Sequence, residues 1–255
     1  MLQILIVPAL TDNYIYLIHE PIGGETAVVD PAVAEPVMAA LEQHGWRLDY
    51  IFNTHHHGDH VGANLQLKQQ TACKIVGASA DRARIPGIDI EVKEGDQVRL
   101  GDQTFQVIDT PGHTLGHIVY YCADSRALFC GDTLFSLGCG RLFEGSAMQM
   151  WQSLQKLKTL PAQTRIYCAH EYTAANGRFA WSLEPDNPAL QRRLVEVAEL
   201  RRQNRPTLPS TIGQELASNP FLREHSPSIR RSICMAEQSD AATFAKLRAL
   251  KDQYH

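Results

Sequence analysis

Between Thr54 and His60 the chain reads Thr-His-His-His-Gly-Asp-His, crowding the metal-ligand side chains His55, His57, Asp59 and His60 into six residues. An extended backbone points His55 and His57 to one side, whereas a helix sets them roughly 200° apart. The preceding Tyr50, Ile51 and Phe52 are β-branched or aromatic and read as a strand, and Val61, Leu65 and Leu67 begin a helix after it. Asp59 and His60 then stand at the helix entry, turned from the first pair. One ion can hardly collect all four, so two neighbouring metal ions are expected. The bland alternative is a solvated polar loop, but histidine is scarce and needs a reason to cluster.

Three later segments add ligand types, each just after an apolar run. Val107 to His113 ends in a histidine past a Pro-Gly turn, Leu128 to Asp132 ends in an aspartate, and Ile166 to His170 ends in a histidine. Any one alone could be a hydrogen-bonded core histidine or a capping aspartate. Strand ends gathered at one edge are where such a site would assemble, and with the cluster they complete two coordination shells. Nitrogen and oxygen ligands suit zinc and leave iron or manganese open.

The elements that must position these residues are mostly strands over the first 170 residues. Strands are predicted at Leu2 to Pro8, Tyr14 to His19, Thr26 to Asp30, Leu48 to Asn53, Lys74 to Gly77, Phe105 to Asp109, Ile118 to Cys122, Leu128 to Gly131 and Arg165 to Cys168. Helical spacing runs over Ala34 to His44, Gly62 to Gln70 and Met148 to Leu160, the last with Trp151, Leu154 and Leu157 in one stripe. Two sheets between helix layers is the natural α/β architecture. From Thr173 the pattern turns helical, at Thr173 to Leu183, Pro188 to Asn204 and Asp240 to Tyr254, interrupted by a stretch rich in proline and glycine.

The chain has 255 residues and 44% hydrophobic content, enough for a substantial core. Its net charge of −4 gives no general reason to expect a polyanionic partner. Residues 1 to 150 hold 9 Lys+Arg against 18 Asp+Glu, and residues 151 to 255 hold 15 against 10, so the metal half is acidic and the helical half basic. Arg192, Arg193, Arg201, Arg202 and Arg205 are expected to solvate helix faces. No recognised nucleic-acid module appears. The amino-terminal segment lacks a basic region and a long apolar run, and the six cysteines form no close pair, so a cytoplasmic, soluble monomer with reduced thiols is expected.

The seven ligand-type positions together resemble the metallo-β-lactamase superfamily, whose signature is His-x-His-x-Asp-His followed by single His, Asp and His ligands. That resemblance implies an αββα sandwich over residues 1–170 and a smaller helical, substrate-binding domain over 171–255. It further implies one ion on His55, His57 and His113, a second on Asp59, His60 and His170, and Asp132 bridging. Two divalent ions would bring +4, Asp59 and Asp132 would remove two and a bridging hydroxide one, leaving about +1 to hold hydroxide and stabilise an oxyanion at neutral pH. Asp59 and Asp132 thereby count among the catalytic residues. Asp30 is open between a hydrogen-bond acceptor behind the ligands and a turn residue before Pro31. His56 is read as no ligand and His117 as structural; His19, His44, His225 and His255 look peripheral.

Gly131 to Phe135, Gly138 to Gly145, Ala169 to Thr173 and the Arg248 to Asp252 ending closely resemble the glyoxalase II, or hydroxyacylglutathione hydrolase, family over nearly the whole chain. The resemblance implies hydrolysis of S-D-lactoylglutathione to D-lactate and glutathione, the second step of methylglyoxal detoxification. Arg141, Arg248 and Lys251 are cations in the segments where the family binds glutathione, and Tyr172 could donate its hydroxyl; Asn176 is a weaker candidate. A thiolate leaving group, of conjugate-acid pKa about 8.5, needs no strong general acid. Phe143 stands where many relatives have tyrosine, which removes a hydroxyl contact, and Gly58 fills a slot often taken by a bulkier residue. The competing readings are another enzyme of the fold (a lactonase, a β-lactamase or an iron persulfide dioxygenase), a nucleic-acid binder, and a zinc store.

Overall fold

The computed structural model describes residues 1–254, leaving the peripheral His255 outside the described residues. The chain divides into two compact units, one of residues 1–109 and 115–131, the other of 110–114 and 132–255.

The first unit contains β1 (Gln3–Ala9), β2 (Asn13–His19), β3 (Thr26–Val29), α1 (Glu35–His44), β4 (Tyr50–Phe52), α2 (Gly58–Val61), α3 (Asn64–Thr71), β5 (Lys74–Ala78), β6 (Ile90–Val92), β7 (Gln97–Leu100), β8 (Gln103–Asp109), β9 (Ile118–Cys122) and β10 (Ala127–Gly131). Strands β1 to β6 form one sheet in sequence order, antiparallel from β1 to β3 and parallel from β3 to β6. Strands β7 to β10 form consecutive antiparallel pairs. Val37 and Leu41 of α1 and Leu67 of α3 pack with Ile15, Leu17, Val28, Ile51 and Ile75 on one face of the first sheet. On the other face the two sheets meet through aromatic rings: Phe52 lies 5.5 Å from Phe105 and 5.0 Å from Tyr120, and Tyr16 lies 5.7 Å from Phe129. Layers on both sides explain why β2 and β3 are buried almost throughout, whereas β7 alternates exposed and buried.

The second unit contains β11 (Leu134–Phe135), β12 (Gly138–Cys139), α4 (Ala147–Lys158), β13 (Arg165–Cys168), α5 (Thr173–Leu183), α6 (Pro188–Arg202), β14 (Ser210–Thr211), α7 (Ile212–Ser218), α8 (Pro227–Ser232) and α9 (Asp240–Asp252). A capping box of Ser146 and Gln149 opens α4, and Asn187 caps α6 through the backbone N–H groups of Ala189 and Leu190.

Residues 132–170 thus belong to the same compact unit as the carboxy-terminal helices, and side chains from the later segments show why. Asn219 Nδ2 donates to the Phe135 and Gly138 carbonyls at 3.1 and 2.9 Å, and Glu215 accepts the Leu137 N–H at 2.7 Å. Buried Glu224 accepts from Trp151, Gln155 and Lys158 of α4. The β11–β12 hairpin and α4 are therefore fastened to the carboxy-terminal helices. Arg193 departs from the solvated-face expectation: it is 5% exposed, and its Nη2 donates to the Thr207 carbonyl at 2.7 Å.

Phe52 is wholly buried, so Phe52→Ala should cost about 3–5 kcal/mol of stability; urea unfolding checks this, and a loss below about 1 kcal/mol would contradict the packing between the sheets.

Candidate metal centre

In the first unit the ligand-type residues are delivered by the end of β4. Parallel pairing with β3 and β5 holds Tyr50–Phe52 in the middle of the sheet, and Asn53 N–H still donates to the Val76 carbonyl at 2.9 Å before the chain turns out. His57 caps α2 with extended backbone (φ −61°, ψ 147°), and Asp59 and His60 occupy that short helix. At Gly58 a Cβ would meet nothing within 4 Å, so a bulkier residue would fit there.

His55 Nε2 and His57 Nδ1 lie 3.0 Å apart, and His60 Nε2 lies 3.5 Å from Asp59 Oδ2. Zn–N bonds of about 2.0–2.1 Å place tetrahedral neighbours about 3.3 Å apart, so both pairs have the spacing of adjacent ligands on an ion. Asp30, which follows β3 in the left-handed region (φ 49°), supports them: its Oδ1 accepts the Thr54 N–H at 2.8 Å, and its Oδ2 accepts the Thr54 hydroxyl at 2.7 Å and faces His60 Nδ1 at 3.0 Å. A carboxylate facing Nδ1 makes that nitrogen the donor and puts the lone pair of His60 on Nε2. Asp30 is thus an acceptor behind a candidate ligand. Asn13 Nδ2 donates to Asp59 Oδ2 at 3.0 Å, and His117 is fully buried with its ring stacked on His55 at 4.8 Å. Gly131 is required by close approach: a Cβ there would fall 2.3 Å from Thr54 Oγ1, and its φ is +47°.

The second unit gathers His113, Asp132 and His170, all at most 6% exposed. Asp132 Oδ2 lies 3.3 Å from His113 Nε2, and its other oxygen, Oδ1, lies 3.5 Å from His170 Nε2. One carboxylate thus presents each of its oxygens to a different histidine. His113 Nδ1 faces the Arg141 carbonyl at 2.8 Å, which can only accept, so its lone pair also lies on Nε2. At Gly140 a Cβ would fall 1.9 Å from the Asp132 carbonyl, so glycine alone fits beside that strand end.

The expected substrate residues also lie in the second unit. Tyr172 stacks on His170 with centroids 4.8 Å apart, and Phe143 meets His113 edge-on at 5.2 Å; both rings are part-exposed, Phe143 the more so. Arg141 is largely exposed and 3.7 Å from Asp252. Arg248 differs: it is 5% exposed, donates to the Cys139 carbonyl at 2.8 Å and to Asp252 at 3.0 Å, and lies over Phe221. Lys251 lies over Phe179 and Tyr254, with its pKa pulled below the usual lysine value by burial and then by Arg248 and Arg178. Burial drives the Cys139 thiol up to about 11. Asn176 is buried and donates to the Ser136 carbonyl.

Residues 10–170 match the family model of the metallo-β-lactamase superfamily, and residues 171–254 match that of the hydroxyacylglutathione hydrolase C-terminus. The hydroxyacylglutathione hydrolase of Methylococcus capsulatus is 56% identical over 254 residues, covering 100% of this chain and 99% of the relative. Among solved structures, ETHE1 from Myxococcus xanthus is similar with a TM-score of 0.65 at 26% identity over 100% of both chains. A protein solved in a di-iron-bound form is similar with a TM-score of 0.61 at 25% identity, covering 86% of this chain and 100% of that one. The class is therefore the metallo-β-lactamase fold, an α/β architecture of mixed sheets followed here by a helical region, and its His/Asp set points to a dinuclear metal site. Within that class the chain belongs to the hydroxyacylglutathione hydrolase family.

Asp30→Ala should weaken metal binding about 10–100-fold by releasing Thr54 and His60; competition with a chromogenic chelator measures it, and unchanged affinity would contradict the support assigned to Asp30.

Proposed function

We propose that this chain is a metal-dependent thioester hydrolase that converts S-D-lactoylglutathione to D-lactate and glutathione. The observation that carries the metal part is Asp132, whose two oxygens each neighbour a different histidine. In this reading His55, His57 and His113 hold one ion, Asp59, His60 and His170 the other, and Asp132 spans both. The donor set fits, since the four ligand pairs described above are spaced 3.0 to 3.5 Å apart. Zinc suits these ligands, and iron or manganese would be accepted by the same atoms. When bound, the ions polarise the thioester carbonyl and lower the pKa of water to about 7.

The protein's own groups do the rest. Asp30 and the Arg141 carbonyl fix the tautomers of His60 and His113, so their Nε2 atoms are presented without a proton to lose. Asp59 and Asp132 supply two negative charges that moderate the centre. Water adds to the carbonyl carbon and gives up its protons to solvent, the C–S bond breaks, and glutathione leaves as a thiolate that needs no protonation at the moment of cleavage. Arg141 and Lys251 offer charge-assisted bonds to the two carboxylates of glutathione, and Tyr172 offers a hydroxyl. Lys251 is well suited: burial, and then Arg248 and Arg178, disfavour its charged form, so an arriving carboxylate would favour it. Arg248, held by Cys139 and Asp252, serves better as the frame that keeps the Gly138–Gly145 segment in place than as a mobile contact. The match over residues 171–254 favours this substrate over those of other enzymes of the fold. A cytoplasmic monomer is proposed as the working form, in keeping with six cysteines that form no close pair in the sequence.

Loss of thioester absorbance with purified protein, together with metals per chain on the same sample, tests the proposal; no turnover with two ions bound would sink the substrate. Lys251→Ala should raise KM for the glutathione thioester about tenfold, the value of one charge-assisted contact, with metal content unchanged. An unchanged KM would move the carboxylate contact elsewhere.

A further inference from the structure

The first unit holds another buried carboxylate that the chemistry above leaves unused. Asp81 ends the short 3-10 turn Ser79–Asp81 after β5, with its side chain at 0% exposure. Its Oδ2 lies 3.0 Å from His56 Nδ1, and its Oδ1 accepts from Arg84, whose Nε is at 3.1 Å. Gly116 packs against it so closely that a Cβ would fall 2.2 Å from Oδ1.

This one side chain therefore touches three segments: the histidine loop at residue 56, the turn carrying Arg84, and the approach to β9. The first and third are joined again nearby, because Ile118 N–H donates to the Thr54 carbonyl at 2.9 Å and His117 stacks on His55. A buried carboxylate is costly unless compensated, and Arg84 already supplies the opposite charge. The contact with His56 is thus not needed for neutrality. What it fixes is the direction of the one residue between His55 and His57, and with it the peptide planes that aim both rings. The sequence reads His56 as no ligand, and in the structure its Nδ1 faces Asp81 Oδ2.

We propose that Asp81 is a positioning residue for the metal centre, acting through His56 and Gly116 to hold His55 and His57 in their ligating directions before an ion arrives. This rests on the metal-binding reading above. A ligand pair ordered in advance spares the ion the cost of ordering it, so the benefit appears in metal affinity rather than in substrate binding.

The test uses metal-free full-length protein titrated with Zn2+ against a chromogenic chelator, with thermal unfolding of the same metal-free samples. Asp81→Asn keeps the shape and removes the charge; His56→Ala cuts the loop contact and leaves the Asp81–Arg84 pair intact. Both should weaken the tighter metal step about 10–100-fold and leave KM for the thioester within about twofold. His56→Ala should do so with metal-free stability near wild type, which a merely structural carboxylate would not produce. Wild-type affinity in His56→Ala would overturn the inference, even if Asp81→Asn unfolds. Wild-type protein that takes up no metal would instead overturn the underlying metal reading, and the inference with it.

Discussion

The carboxylate of Asp30 is the constraint on which the metal half of the molecule depends. It is 4% exposed, and its two oxygens meet the Thr54 N–H, the Thr54 hydroxyl and His60 Nδ1. Hydrogen bonds to a charged group contribute about 1.5–3 kcal/mol each, whereas leaving such a charge buried and unmet costs more than that. The end of β3, the end of β4 and α2 must therefore arrive together. Thr54 carries the constraint one residue further, its hydroxyl lying 3.0 Å from His55 Nδ1. The left-handed backbone at Asp30 is what turns the carboxylate back over its own sheet, and aspartate tolerates that conformation better than most residues.

The second unit solves a matching problem with a different device. Two histidines face Asp132, and its main chain is approached by Gly140 at a distance only glycine permits. Its neighbours are tied down by residues far along the chain: Arg248 on the Cys139 carbonyl, Asn219 on the hairpin, Ser153 on the Pro111 carbonyl. The carboxy-terminal helices thus brace the segment after Asp132, and α4 braces the turn that carries His113.

The candidate metal ligands stand out in the sequence because residue type and short spacing carry their chemistry. Histidines two apart after a strand need no tertiary knowledge, and Ile118 to Cys122 and Arg165 to Cys168 emerge with their predicted limits. Segments that rely on partners do not. β11, β12 and β14 have two residues each and no periodicity to read, and α7 and α8 lie in the proline-rich stretch where turn signals mask short helices. Arg193 was expected on a solvated helix face and Arg248 at a glutathione carboxylate, and only the carbonyls they reach from 14 and 109 residues away explain their burial. Asp81 was invisible for the same reason: nothing local links it to His56, 25 residues earlier.

The central claim is that two ions share the carboxylate of Asp132. Anomalous diffraction from metal-loaded crystals, recorded at the absorption edge of the bound metal, tests it most directly. The account predicts two peaks per chain, one oxygen of Asp132 bonded to each, with His55, His57 and His113 around the first and Asp59, His60 and His170 around the second. A single peak at full metal loading, or two peaks with Asp132 bonded to only one, would contradict it.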